Sequence, residues 1–556
     1  MKILGFILVD RRIINLKPMY MKINATLLTI FLIPFWSYSQ NQVPMVTNVT
    51  ATIDTSIQLV NVSFDLNDAE GDLMEVWIQA STDGGNTWVV PIVLDSLSGD
   101  YGMAEVSGTG KSISWSYDET VLSAYSSGLT TMRVRVIADD HITIPLSEIV
   151  AKIDSARIVS TLFQYEGIRH HTANPVFKDK IKDSLEAMFD LGEIYNYRQG
   201  SLYGSYQTAN IVGFSSGTRT PSNSWMTSGH YDSVDDSPGA DDNGTGMVAV
   251  AEAIRVLSDY KTKNSIRYFF FDLEEQGLIG SQKYVQTGIP FWENMQGLLN
   301  MDGIGYYSDT ANSQSMPAGF NIAYPTQYTA IQADNFKGNF INSFYNTAST
   351  SLDSAFNAVA TTYVPDLKVI SFETPGTGTS TPDFRRSDHA RFWDISVPAI
   401  FLNDAANYRN PFYHTPNDSI HYLDMDFLVN NIKAIVTTLA MKAELEHSGC
   451  AQSNDLEIEL PLTVSVNTPT INSVLVFPNP SVGTQTFQIS LEEPGMVRML
   501  IMDITGKLID ATTSQWMLAG TNSIHHSKEL STGTYQVLLE VDGSISGSSL
   551  LVVSQE

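Results

Sequence analysis

Hydrophobic and polar positions change their period twice along the chain. Between residues 44 and 155 they alternate over short runs, at Gln58–Leu66, Leu73–Ala80, Thr87–Val93, Lys111–Ser116 and Thr131–Ala138. A period of two over such runs predicts half-buried strands, and no helical period is read there. From 156 to 447 the pattern differs. Ser224–Gly229, the aromatic-rich Ser265–Asp272, Leu298–Met301 and Pro398–Leu402 read as short buried strands, while Met247–Leu257 has helical spacing. Buried strands alternating with helices predict a mostly parallel central sheet flanked by helices. A polar linker at 448–472 then leads to short strands again, a small β-sandwich over 473–556.

The first unit, 44–155, resembles a fibronectin-III or immunoglobulin-like sandwich. Its Ser81–Trp88 stretch fits an Asp-box hairpin, but one copy needs no more than an Asp-Gly turn. The acidic stretch Asp65–Asp72 reads as a turn or a calcium loop. Residues 1–39 read as a signal peptide. Lys22 precedes the apolar run Ala25–Trp36, and Ser37-Tyr38-Ser39 implies cleavage before Gln40. That run is too short to span a membrane, which takes about 20 residues. Charged Asp10, Arg11 and Arg12 lie upstream, so Met21 is a candidate start.

Candidate chemistry sits where the central strands end. His230 follows the first run, Glu274 and Glu275 the second, and Asp302 the third; His414 lies in the loop after the fourth. Ligands of parallel sheets bind beyond the carboxyl ends of the strands. With Asp241 on a glycine-rich loop, these are two imidazoles and four carboxylates, of which the imidazoles with Asp241, Glu275 and Asp302 are enough for two metal ions sharing one carboxylate. Glu274 is then left over as a general base. Asp232, two residues after His230, can orient its imidazole.

The contexts GHYDSV, GADDNGTG, DLEEQGLIGS, NMDGIGY and YHTPND resemble the co-catalytic two-zinc aminopeptidases, relatives of glutamate carboxypeptidases and glutaminyl cyclases, over about 160–445. The resemblance implies two zinc ions per chain. His230 and Asp302 would hold one, Glu275 and His414 the other, and Asp241 would bridge. Asp242 would follow the bridge at a position often joined by a cis peptide, and Glu274 would move the proton. It also implies an N-terminal exopeptidase acting on peptides or proteins with a free N-terminus. The fold expected is multidomain, a central α/β metallopeptidase domain (156–447) between two β-sandwiches, with 156–447 able to fold alone.

Ser387-Asp388-His389 matches a stretch near the site in that family, so Asp388 and His389 are possible neighbours of the metals or a buried structural pair. Arg385 and Arg386 could grip a substrate carboxylate, which keeps a carboxypeptidase open; a one-zinc glutaminyl cyclase is a second alternative. A third is a surface binding protein with a degenerate α/β scaffold, against which the intact ligand set argues. The pairs His170-His171 and His525-His526 read as solvated surface residues.

A formal charge of −28, from 32 basic and 60 acidic residues, argues against nucleic acid and anionic membranes as partners. No integral membrane segment is expected. The lone cysteine, Cys450, excludes an intrachain disulfide. Val476–Pro480, Met502–Lys507 and Ser531–Val541 resemble the C-terminal sorting domain of type IX secretion. That implies a partner in the secretion machinery and export through the periplasm to the cell surface or medium.

Overall fold

The computed structural model describes residues 42–553 apart from 126–130, 142–143, 193, 204–205, 446–449, 460–470, 478–484, 492–493, 504–507, 513–514, 519, 527–529 and 542–543. The expected signal peptide, the Met21 start and the Pro478-Asn479-Pro480 motif lie outside the described residues.

The N-terminal unit consists of two antiparallel sheets around one apolar core. One sheet orders Met45–Asp54, Leu59–Asn67, Gly108–Ser116 and Leu97–Gly99; the other contains Met74–Ser81, Thr131–Asp139 and Gly102–Glu105. Along Leu59–Asn67 the inward positions are Val60, Val62, Phe64 and Leu66, as the alternation requires. Thr87–Val93, expected as a strand, runs without regular structure, because Asp83 and Ser81 use its start to close a local turn. A helix over Glu119–Tyr125 appears where no helical period is read. Asp68 Oδ1 accepts the N–H groups of Glu70, Gly71 and Asp72, so one oxygen of this acidic stretch serves its own turn.

The central sheet has eight strands: β1 (Tyr195–Tyr203), β2 (Tyr206–Ser215), β3 (Thr220–His230), β4 (Asn264–Phe271), β5 (Asn294–Met301), β6 (Ile341–Asn346), β7 (Val369–Thr374) and β8 (Ala399–Asn403). Their order is β7-β6-β8-β5-β3-β4-β2-β1. The middle four, β8-β5-β3-β4, are parallel, and antiparallel pairs flank them on both sides. His230 is in register with Phe271, and Ser228 with Asn300, so β3, β4 and β5 end at one edge. Helices α1 (Gly246–Leu257) and α2 (Met425–Ala443) are apolar on most faces and almost wholly buried. Asp424 caps α2 by accepting the N–H of Phe427.

Two expected boundaries shift. Residues 146–152, inside the expected sandwich range, form the helix Leu146–Lys152, and Ile149 and the following Ile153 are buried in the α/β core. The linker 448–472 contributes Ala451–Gln452 and Leu456–Glu459, which pair with Thr131–Asp139 of the sandwich. The chain therefore leaves the sandwich, forms the α/β unit and returns. The two units are also joined directly. Trp77 Nε1 donates to Thr218 O at 2.7 Å, Gln79 Nε2 to Gly217 O at 2.8 Å, and Arg219 pairs with Glu75 at 2.9 Å. A self-sufficient 156–447 does not fit these contacts.

Near the C-terminus, a three-stranded and a five-stranded antiparallel sheet share a core that includes Phe487, Ile501 and Val537. His526 is not on the surface. It is buried there between Gln485 (2.9 Å) and Asp510 (2.7 Å). No helix among the described residues is long and apolar enough to cross a membrane.

Candidate metal centre

His230 ends β3 with its ring buried. Its Nε2 is 3.2 Å from Asp242 Oδ1 and 3.4 Å from Asp302 Oδ1, the aspartate just beyond β5. His414, in left-handed backbone (φ 55°), brings Nε2 within 2.9 Å of Asp242 Oδ2 and 3.2 Å of Glu275 Oε2. Two trios result. The ligand atoms of His230, Glu274 and Asp302 lie within 4.8 Å of one another, as do those of Asp242, Glu275 and His414. Asp242 touches both histidines.

Asp241, expected from the sequence to bridge, is turned away. Its oxygens accept Gly305 N (3.0 Å) and Asn410 Nδ2 (2.8 Å), and it shares a hydrogen bond with the buried carboxyl of Asp404. Burial and the Asp404 charge raise the Asp241 carboxyl well above its ordinary range; burial raises Asp404 to about 6. The loop is held so that the second aspartate faces the cleft. Asp418 accepts the N–H groups of Asp241 (3.0 Å) and Asp242 (3.1 Å), and Asn243 Nδ2 donates to Met301 O (2.8 Å). The cis peptide joins Asp242 to Asn243.

Asp232 lies beside the ring of His230. Its Oδ1 is 3.4 Å from His230 Nδ1, and its two oxygens accept the N–H groups of Glu274 (3.0 Å) and Glu275 (3.2 Å). One carboxylate thus faces the imidazole and holds the backbone of the glutamate pair. Asp388 is fully buried, and burial raises its carboxyl to about 7 despite the opposing His230 charge. His389 is not a member of either trio. It stacks on Phe401 at 4.6 Å and contacts Phe384 O through Nε2 at 2.7 Å. Arg385 is engaged by Asp394 at 2.8 and 3.0 Å, whereas Arg386 donates to Asn407 and Tyr413. His170 is part-exposed, with Nε2 3.4 Å from Gln276 Nε2 beside the glutamate pair.

The electrostatics are those of a carboxylate cluster short of cations. Burial raises Glu275 to about 7, and the Asp242 charge adds to it. Burial also holds Glu274 well above its ordinary range; His230 opposes this, and Asp302 and Glu275 add to it. Burial would lower His414, but its bonds to Asp242 and Glu275 lift it to about 10. Both ring nitrogens of His230, Asp242 Oδ1 and Glu275 Oε1 are buried without a well-directed hydrogen bond among the described residues. Imidazole and carboxylate donors converging in this way fit zinc-type metal ions.

A cavity opens beside Asp302, walled by Phe320, Phe344, Phe372, Phe384, Phe401 and Met316, with Arg386 and Tyr413 also lining it. The sequence pattern does not reveal it, because its rings come from five separate segments. Asp418 was within reach of the YHTPND motif; Asp404 and Asn410 carried no separable signal.

Residues 210–439 match the model of peptidase family M28, and 475–553 match the secretion system C-terminal sorting domain. Among curated proteins, the chain is 28% identical over 225 residues to uncharacterized protein YfbL of Escherichia coli K12, covering 38% of this chain and 64% of that one. It is 31% identical over 225 residues to leucine aminopeptidase 1 of Trichophyton equinum, covering 37% and 51%. The chain thus spans between half and two thirds of the length of these relatives. A crystal structure of the Legionella pneumophila LapA aminopeptidase aligns at 20% identity and a TM-score of 0.40, covering 54% of this chain and 74% of that one. The strand-end ligands thus lie inside the segment that matches peptidase family M28, and a segment near the C-terminal end matches a secretion system sorting domain.

Proposed function

We propose that this chain is a secreted two-zinc aminopeptidase that removes N-terminal residues from peptides. The observation that carries the reading is the pair of ligand trios joined by Asp242, with Glu274 in the trio of His230 and Asp302. His230 and Asp302 would hold one ion, Glu275 and His414 the other, and Asp242, rather than Asp241, would span them. Bound there, zinc lowers the pKa of a water ligand to about 7 and polarises a carbonyl. Glu274 is the group placed to take the proton from the attacking water and return it to the leaving amine. Asp232 keeps Glu274 and His230 in mutual register through its bonds to both segments. The first side chain of the substrate enters the phenylalanine-walled cavity beside Asp302.

The pair of trios favours an aminopeptidase over a one-zinc glutaminyl cyclase; the cavity, whose lining adds Gln314, Asn342 and Asn403 to the phenylalanines, admits the first side chain of either substrate. A carboxypeptidase would need a guanidinium for the substrate carboxylate; Arg385 is engaged by Asp394, which leaves that role to Arg386, bonded to the neutral Asn407 and Tyr413 at the cavity. The sorting domain supports export through the periplasm to the surface or medium. The test is a panel of peptides with free, acetylated and glutaminyl N-termini, assayed with and without chelator. Cleavage confined to free N-termini, lost with chelator and restored by zinc, is expected. Ammonia release from glutaminyl peptides without hydrolysis of the others would replace this reading with the cyclase.

A further inference from the structure

The nine residues from Tyr231 to Gly239 connect His230 to the Asp242 loop without regular secondary structure. Most are buried, so their carbonyls cannot turn to water. Arg169 meets them. It is fully buried and lies outside the matched 210–439 segment. Its Nε donates to Tyr231 O (2.8 Å) and Nη2 to Gly239 O (2.8 Å). Nη1 donates to Pro238 O (2.9 Å), Tyr165 O (2.6 Å) and Gly167 O (3.0 Å). Its own N–H donates to Ser233 Oγ (2.9 Å). Gly239 permits this approach. It has φ +62°, and a Cβ there would lie 2.6 Å from Nη2.

A guanidinium has five N–H donors in a rigid fork. Here Nε and Nη2 serve the two ends of one loop, at Tyr231 immediately after His230 and at Gly239 two residues before Asp241, while Nη1 adds Pro238 O of the loop and Tyr165 O and Gly167 O of its own segment. The charge itself is left for the carboxylates of Asp418, Asp242, Asp232 and Glu275, which act on it through space.

We infer that Arg169 is a positioning residue that presets the separation of His230 and Asp242, so that both metal trios are assembled before any metal arrives. The inference rests on reading those trios as metal sites. It assigns Arg169 no contact with substrate. The fork, and not the charge alone, sets the geometry, because the rigid spacing of Nε and Nη2 fixes the spacing of Tyr231 O and Gly239 O.

The experiment compares the full chain with Arg169→Met and Arg169→Lys by zinc competition against a chelator. Hydrogen exchange of residues 231–242 is followed in each metal-free protein. Metal-free wild type should already protect the loop. Both variants should bind zinc about 10–100-fold more weakly, the usual cost of losing support behind a ligand. They should exchange faster in the loop, with β4 unchanged. A folded Arg169→Met chain with wild-type zinc affinity and loop protection overturns the proposal. If Arg169→Met does not fold, Arg169→Lys decides, and wild-type behaviour there overturns it. A wild-type chain that binds no zinc defeats the two-zinc reading instead, and the exchange comparison still decides Arg169.

Discussion

His414 Nε2 stands 2.9 Å from Asp242 Oδ2, an approach that joins the loop after β8 to the loop before α1. The same carboxylate reaches His230 through its other oxygen. Asp242→Asn should therefore lower the metal content from two ions per chain to one or none. Asp241→Asn should leave both in place, because Asn can donate to Asp404 as the shared carboxyl proton does, at a stability cost of about 1–2 kcal/mol. Elemental analysis of zinc-loaded variants checks this. Metal loss in Asp241→Asn with retention in Asp242→Asn would return the bridge to Asp241.

Glu274→Gln removes a proton acceptor while keeping shape and hydrogen bonding. Turnover should drop by about 10²–10⁴ with both metals retained. Glu275→Gln should instead weaken the Asp242–His414 trio. The geometry makes this a demanding test, since Glu274 is also within ligand distance of His230 and Asp302. A Glu274→Gln protein that loses zinc is not missing a base; its Glu274 was a ligand.

The cavity beside Asp302 predicts the substrate series Phe above Leu above Ala in kcat/KM. Burying a large apolar side chain contributes roughly 1.5–3 kcal/mol, or about 10–150-fold. Met316→Ala removes part of the wall without touching the proposed ligands and should narrow the gap between Phe and Ala. Equal rates on all three substrates, in the wild type, would show that the first side chain does not enter this cavity.

His389 offers a test of the fold by pH. Burial lowers its pKa to about 3, with Phe384 O opposing and Arg385 reinforcing the shift. In the unfolded chain a histidine takes up its proton near pH 6.5. Its contribution to stability is therefore complete above that value and falls with pH down to about 3, by up to roughly 1.4 kcal/mol per unit. Urea unfolding of the wild type and His389→Gln should show a stability difference that shrinks between pH 7 and pH 4.5. A constant difference would mean that His389 titrates normally.

Ile149 precedes the expected start of the α/β unit yet is buried in its core. Ile149→Ala should cost about 2–5 kcal/mol, read as an earlier loss of the α/β unit in urea. A cost below about 1 kcal/mol would show that this helix merely rests on the surface.

Much of the site was legible because strand ends are legible. The runs SWMTSG, SIRYFFFD and the apolar stretch before Asp302 place His230, Glu274, Glu275 and Asp302 at one edge, and the register of β3 with β4 and β5 puts them there. The sandwich boundaries were less so. Leu456–Glu459 reads as polar linker because four residues are too few to show a period, although Leu456 and Ile458 add to the sandwich core and Thr131–Asp139 provides the backbone partners.

The sequence by itself determined which residue types are present, in what order, and that parallel strands deliver them to a common edge. It could not separate Asp241 from Asp242, which are adjacent, identical and equally buried in pattern. Only the tertiary structure decided between them. Asp418, Asn410 and the Gly305 amide come from segments far along the chain and fix the direction of each carboxylate. Periodicity reports which face of an element is buried. The orientation of one side chain in a buried loop depends on where distant donors stand, and that exists only once the chain has folded.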